Sequence, residues 1–305
     1  MLEDRIVFLD GDFIAWNHAT VHVMSHSFSR ASAIYEILSL NESSLGPSVF
    51  RLDEHIDRLF KSAELLHMEL PIPPPRLHEV VLDTVRRNSL SEGIIKITAF
   101  YPQIAIDILP PTGKLSVCVI ALDPHEGLAG SGSSLDQGTT ICISRWRKLA
   151  PETVPIEAKV TANYLNGMLA RLEAVKRGFE YVIMLDTSGF ISEGATESVF
   201  LVKDGRLMTP SLGTVLESIT RKSVLQIAAH LGIETVEEQL LPGFLYEAEE
   251  LFLSSTTFKV HPVRQIESRV LENTPGPVTS KVSTTMDQIV AGQEKRFKNW
   301  LFPVS

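Results

Sequence analysis

A run rich in glycine and serine, Glu126 to Gly138, divides the chain into two halves, each with its own strand-like and helix-like segments. Such a composition buries little and connects folded bodies rather than building one. The expected organisation is therefore an N-terminal α+β domain over residues 1–125, a linker at 126–138 and a C-terminal α+β domain over 139–305. With 305 residues, 44% of them hydrophobic, there is enough apolar material for two cores.

Charge and targeting signals narrow the function classes. Against 28 Lys and Arg stand 37 Asp and Glu, a net charge of −9, and no basic run offsets it locally. A nucleic-acid partner is not expected. The N-terminus is charged and leads straight into a strand-like run, and no 18 consecutive apolar residues occur. These features predict a cytoplasmic protein with no signal peptide and no membrane span. Cys118 and Cys142 each lie in an apolar strand-like segment, which suits buried reduced thiols; a disulfide between them is neither excluded nor implied.

Along the first half, Asp10 and Gly11 between two apolar runs predict a hairpin, and strands are expected at 33–38, 49–52, 94–101 and 115–122. Asp53 reads as the cap of a helix with Leu52, Ile56, Leu59, Phe60, Ala63 and Leu66 inward, which leaves Arg58 off the stripe and free for solvent or ligand. A second helix at about 76–88 places Leu77, Val80, Val81 and Val85 inward. In the second half, a helix over about 163–177 is expected to bury Leu165, Met168, Leu169, Leu172 and Val175. Further strands at 140–145, 181–186, 198–202 and 251–255, a helix at about 219–231 and a helical tail from about 282 to 300 complete the reading. Strands and helices mix without strict alternation and no G-x-G-x-x-G occurs, so a Rossmann sheet is not expected.

One residue stands apart chemically. Lys159 sits among small and apolar neighbours, where partial desolvation would favour a free amine that attacks aldehydes. The plain alternative is a lysine with a packed stem and its ammonium in water. Glu193 and Glu197 occupy a small-residue loop and could be ordinary turn carboxylates, or one could hold a pyridine nitrogen protonated. Ile219 and Thr220 open a helix, where free N–H groups attract phosphate, although Ser218 equally makes a simple cap. The four hydroxyls of Ser254, Ser255, Thr256 and Thr257 end a strand and suit an anion or a plain turn. No metal-ligand set is read from the sequence.

Taken in order and spacing, these pieces resemble a family. They are Glu-Ala-Lys at 157–159, Asn-Tyr-Leu at 163–165, Ile-Ser-Glu-Gly-Ala at 191–195, Lys-Asp-Gly at 203–205, Ile-Thr-Arg at 219–221 and Pro-Val-Arg at 262–264. With Tyr-Glu at 35–36 and Glu-His-Ile-Asp-Arg-Leu at 54–59, the chain resembles the class IV aminotransferases. The resemblance implies the two-domain α+β architecture of fold-type IV pyridoxal-phosphate enzymes, like that of D-amino-acid aminotransferases. It implies that Lys159 carries pyridoxal 5'-phosphate through its amine and serves as general base and acid. Glu193 would pair with the ring nitrogen and Tyr164 would touch the ring's phenolic oxygen. Arg58, the amides of Ile219 and Thr220, the Thr220 hydroxyl and Thr256 would hold the phosphate. Tyr35 and Lys96 would face substrate, and the Thr257 amide would hold its carboxylate.

Lys96 stands where branched-chain members of the family carry an arginine, and Ala99 where D-amino-acid members carry one. The comparison points to transamination of branched-chain L-amino acids with 2-oxoglutarate, by a ping-pong mechanism in a homodimer. The same scaffold also hosts D-amino-acid aminotransferases and 4-amino-4-deoxychorismate lyases. A non-catalytic protein that binds the cofactor or another phosphorylated ligand is the alternative of a different class. Three places depart from the family pattern: Arg30, Ala31 and Ser32 replace a glycine-containing run, Ser218 replaces a glycine, and Ser198 replaces a common asparagine.

Overall fold

The computed structural model describes residues 2–123 and 138–304, so the expected linker lies outside the described residues except for Gly138. Two compact units result, one comprising Met1–Ala129, Ala158–Ala162 and Gln288–Ser305, the other Gly130–Glu157 and Asn163–Asp287.

The first unit holds β1 (Ile6–Leu9), β2 (Asp12–Ala15), α1 (His26–Arg30), β3 (Ile34–Asn41), β4 (Ser48–Phe50), α2 (Leu52–Leu65), α3 (Pro74–Arg87), β5 (Gly93–Phe100) and β6 (Ser116–Leu122). The β1–β2 hairpin forms where expected. Leu9 pairs with Asp12, and Asp10 and Gly11 take φ of +52° and +107°, the left-handed pair that a two-residue turn with matching twist requires. Ile34, Leu38, Ile95, Ile97, Val117 and Val119 point to one face of the sheet. There α2 covers them with Leu52, Ile56, Leu59 and Ala63, and α3 with Leu77, Val80, Val81 and Val85.

The start of α2 differs from expectation. Phe50 leads directly into the helix through Arg51, whose φ of +50° makes the bend, and the Arg51 carbonyl accepts from His55 N at 3.1 Å. Asp53 is therefore already inside the first turn, its carboxylate bonded to Glu54 N.

Two stretches that the sequence places with the second half belong to the first unit. Tyr35 N donates to the Lys159 carbonyl at 3.0 Å and Thr161 N to the Ala33 carbonyl at 2.8 Å, so residues 158–162 run along β3. The expected helical tail ends early. Helix α7 spans Pro277–Val290, Gly292 turns the chain at φ +72°, and β15 (Leu301–Pro303) pairs antiparallel with β4. The strand order of this sheet is β15-β4-β3-β5-β6-β1-β2.

The second unit contains β7 (Thr139–Arg147), α4 (Leu165–Lys176), β8 (Tyr181–Leu185), β9 (Ser198–Lys203), β10 (Arg206–Pro210), α5 (Ile219–His230), β11 (Thr235–Glu238), α6 (Gly243–Glu247), β12 (Glu250–Ser255), β13 (Lys259–Ile266), β14 (Arg269–Val270) and most of α7. Its sheet runs β11-β10-β9-β12-β13-β7-β8, with β14 beside β13, and mixes parallel and antiparallel pairs. This is the α+β arrangement expected.

The buried face of α4 is not the predicted one. Leu165, Met168, Leu172 and Val175 are 61%, 52%, 49% and 60% exposed, whereas Gly167, Ala170 and Ala174 are buried. Backbone proximity explains the reversal. A β-carbon at Gly167 would stand 2.7 Å from the Ala195 carbonyl oxygen, so only small residues let this helix lie so near its neighbours. Both cysteines are free and buried, and burial pushes both thiols up to about 11. No helix among the described residues is long and apolar enough to cross a membrane.

Candidate active site

In the first unit Lys159 occupies the centre of a three-residue turn, closed by Val160 N donating to the Ala158 carbonyl at 3.0 Å. Its own N–H donates to Ser62 Oγ on α2 at 3.0 Å, and its carbonyl is taken by Tyr35. The backbone is thus held on both sides while the side chain extends to the Tyr35 ring, with Nζ 4.7 Å from the centroid. Lys96 Nζ lies 5.6 Å from the same centroid, so the predicted lysine and the predicted substrate-side Lys96 both reach the Tyr35 ring.

Strand register explains this gathering. Tyr35 pairs with Thr98, Ile37 with Lys96, Thr98 with Cys118 and Lys96 with Ile120, which places all of them on the sheet face opposite α2 and α3. A cavity of about 450 Å³ opens on that face, lined in part by Ala33, Thr98, Phe100, Cys118, Ile120 and Thr161. Ala99 pairs with Ile34 on the other face and is fully buried in the core. A side chain there points away from Tyr35 and Lys96.

Arg58 does not lie loose in solvent, as its position off the helix stripe suggests. Its Nε and Nη2 grip both oxygens of Glu36 at 2.8 and 2.7 Å, and His55 Nδ1 meets the same carboxylate at 2.7 Å. Burial by itself would raise the Glu36 pKa, but the charge and hydrogen bonds of Arg58 and His55 outweigh it and hold the carboxyl at about 2. Glu36 and His55 are the partners that sequence reasoning missed, although a signal existed. In the alternating strand, Glu36 falls on the inward parity with Ile34 and Leu38, where a carboxylate needs a cation.

The unusual Arg30 is also accounted for. Its Nη2 donates to the Ile106 carbonyl at 2.7 Å, and Ala31 after it takes φ +53°. That left-handed position is one a glycine would adopt without strain.

In the second unit, Glu193 Oε1 lies 2.6 Å from Lys148 Nζ, with both side chains nearly buried. Lys148 carries no motif and was not singled out. Glu197 is turned onto its own loop, accepting from Thr196 N and Oγ1, so Glu193 is the carboxylate that meets another element. Ile219 and Thr220 form the first turn of α5 and are buried, behind Ser218, whose hydroxyl accepts from Arg221 N at 3.2 Å. A serine in place of glycine supplies a cap here and leaves the first helical N–H groups available to an anion. Tyr164 immediately precedes α4, and Thr256 and Thr257 lie in the turn between β12 and β13, with Thr257 exposed.

Comparison with known proteins identifies the family. The model of the amino-transferase class IV family matches residues 33–266. The branched-chain-amino-acid aminotransferase of Salmonella typhimurium is 35% identical over 301 residues, covering 98% of this chain and 97% of the relative. The enzyme of the same name from Escherichia coli K12 matches to the same extent. Among solved structures, the T.th. branched-chain amino acid aminotransferase with pyridoxamine 5'-phosphate superposes with a TM-score of 0.94 at 31% identity, over the whole of both chains. The Escherichia coli enzyme gives 0.94 at 33% identity, over 99% of this chain and 100% of the other. Motifs legible in the sequence, a match to the family over most of the chain and relatives aligned end to end lead to one assignment: this chain belongs to the class IV aminotransferases.

Proposed function

We propose that the protein is a pyridoxal-phosphate-dependent transaminase of branched-chain L-amino acids, with 2-oxoglutarate as the acceptor. The observation that carries this reading is the Lys159 amine, fixed on a turn against the Tyr35 ring with Lys96 at the same ring. When bound, the cofactor supplies an aldehyde for amine exchange and an electron-withdrawing ring that eases loss of the substrate Cα proton.

The residues present fit such a group. Lys159 is the primary amine that holds it covalently. In the first unit Arg58, held by Glu36, would offer the charge of its guanidinium to the phosphate, and in the second the amides of Ile219 and Thr220, the Thr220 hydroxyl and Thr256 would offer it donors. Glu193, oriented by Lys148, would accept from the ring nitrogen, and Tyr164 would meet the phenolic oxygen. Lys159 Nζ would be the group that takes the substrate Cα proton and returns it, as base and then acid. The Thr257 amide takes the α-carboxylate. Lys96 offers an ammonium to the second carboxylate of the acceptor, and the apolar cavity beside it accommodates a branched side chain.

Reconstituted protein mixed with L-leucine is expected to shift its visible absorbance to that of the amine form, and 2-oxoglutarate to restore it. Conversion by D-alanine alone, or lyase products from aminodeoxychorismate, would sink the substrate assignment. A coloured protein that no amino acid bleaches would support the non-catalytic alternative.

The exposed apolar row of α4 supports a homodimer. Changing Leu172 and Val175 together to glutamate is expected to lower the sedimenting mass from dimer to monomer; a wild-type chain that sediments as a monomer at micromolar concentration would count against it. A cytoplasmic location completes the reading.

A further inference from the structure

The turn after β12 is built in an uncommon way. Ser255 pairs with Lys259, leaving Thr256, Thr257 and Phe258 to reverse the chain. Lys259 itself takes φ +60°, and Val260 N donates across it to the Phe258 carbonyl at 2.7 Å. A hydrogen bond spanning two residues around a positive φ is the rarer, strained hand of the γ-turn, a conformation that glycine adopts most readily. A lysine stands there instead. Its side chain folds back beneath the turn, only 8% of the residue is exposed, and Nζ donates to the Thr256 carbonyl at 2.6 Å.

That contact has a geometric consequence. The Thr256 carbonyl and the Thr257 N–H belong to one trans peptide unit, so they point in opposite directions. An amine that holds the carbonyl from below fixes the aim of the N–H above. It also polarises the peptide, making the N–H a better donor, and more so when the amine is charged.

We propose that Lys259 is a positioning residue, acting through the 256–257 peptide to set the affinity of the Thr257 amide for a ligand carboxylate according to its own protonation. The inference rests on the transaminase reading, in which that amide receives the substrate's α-carboxylate. Burial drives the Lys259 pKa down to about 7, partly opposed by the charge of Asp287 on α7. Asp287 is half-buried, and burial raises its own carboxyl pKa while Lys259 lowers it. Below neutrality the ammonium form strengthens carboxylate binding, and above it the neutral amine weakens it.

The test uses cofactor-loaded protein and 4-methylpentanoate, a saturated carboxylate that stays anionic from pH 6 to 8.5. Its dissociation constant is read from the absorbance change in wild type, Lys259→Met and Asp287→Asn. Between pH 6 and 8.5 the wild-type constant is expected to rise at least about threefold more than that of Lys259→Met, with a midpoint near 7. Asp287→Asn is expected to move the midpoint to lower pH, because it removes the carboxylate that retains the proton. Parallel wild-type and Lys259→Met profiles, or an unmoved midpoint in Asp287→Asn, overturn the role of Lys259. Should Lys259→Met not fold, the Asp287→Asn midpoint decides alone. Wild-type protein that does not bind the probe at any pH overturns the transaminase reading and this inference together.

Discussion

Lys159→Ala is expected to lower kcat/KM for transamination by about 10⁴-fold or more, since proton transfer by a positioned group contributes roughly 10²–10⁴ and the covalent hold on the cofactor is lost as well. The fold should survive. The groups that anchor residue 159 are its backbone N–H, on Ser62, and its carbonyl, on Tyr35 N, and both persist in alanine. Borohydride reduction of wild type followed by peptide mass spectrometry should leave the cofactor mass on the peptide containing Lys159, and Lys159→Ala should give no such adduct. An adduct on another lysine in the wild type, or substantial turnover by the alanine variant, would displace Lys159 from its role.

Glu36→Gln is expected to cost about 3–5 kcal/mol of stability, read as a fall in the urea midpoint. Glutamine keeps the shape but removes the charge, leaving the nearly buried Arg58 without the carboxylate that both its Nε and Nη2 grip. The same group makes the protein acid-sensitive in a defined window. The Glu36 carboxyl titrates at about 2 when folded, against an ordinary 4.5, so it contributes stability in full above pH 4.5. That contribution is lost as pH falls from there towards 2, and its size is roughly 3 kcal/mol. Wild type should show this slope and Glu36→Gln should lack it. Because Arg58 is aligned by Glu36, the variant should also bind pyridoxal phosphate more weakly. Equal stability of the two proteins across pH 2–5 would show that the pair holds nothing together.

Strands β1 to β9 and β12, the hairpin at Asp10 and Gly11, and helices α2, α3 and α5 were legible because local periodicity and turn chemistry decide them, whereas β11, β13, β14 and β15 were not read. The orientation of α4 was not. Its apolar residues form a regular row, but close packing at Gly167, Ala170 and Ala174 outweighs that row, and periodicity alone carries no information about how near a sheet lies. The residues named for the site came from motifs, whereas most of their supports came from neighbours distant in sequence: Glu36 behind Arg58, Ser62 beneath Lys159, and Lys148 against Glu193. Only Glu36 announced itself, by carrying a charge at an inward strand position. Lys259 gave no signal, because neither its positive φ nor the depth of its amine can be read from spacing.

The membership of residues 158–162 and 288–305 in the first unit bears on how this protein can be taken apart. A fragment ending within the 126–138 run would carry Tyr35, Arg58 and Lys96 but not the Lys159 amine, and would leave β4 without its neighbour β15 at the sheet margin. The complementary fragment would carry the amine on a segment stripped of the strand that aligns it. Splitting the gene at that run and mixing the products is thus a poor route to two autonomous halves, and reporters or partner domains are better fused at the ends of the intact polypeptide.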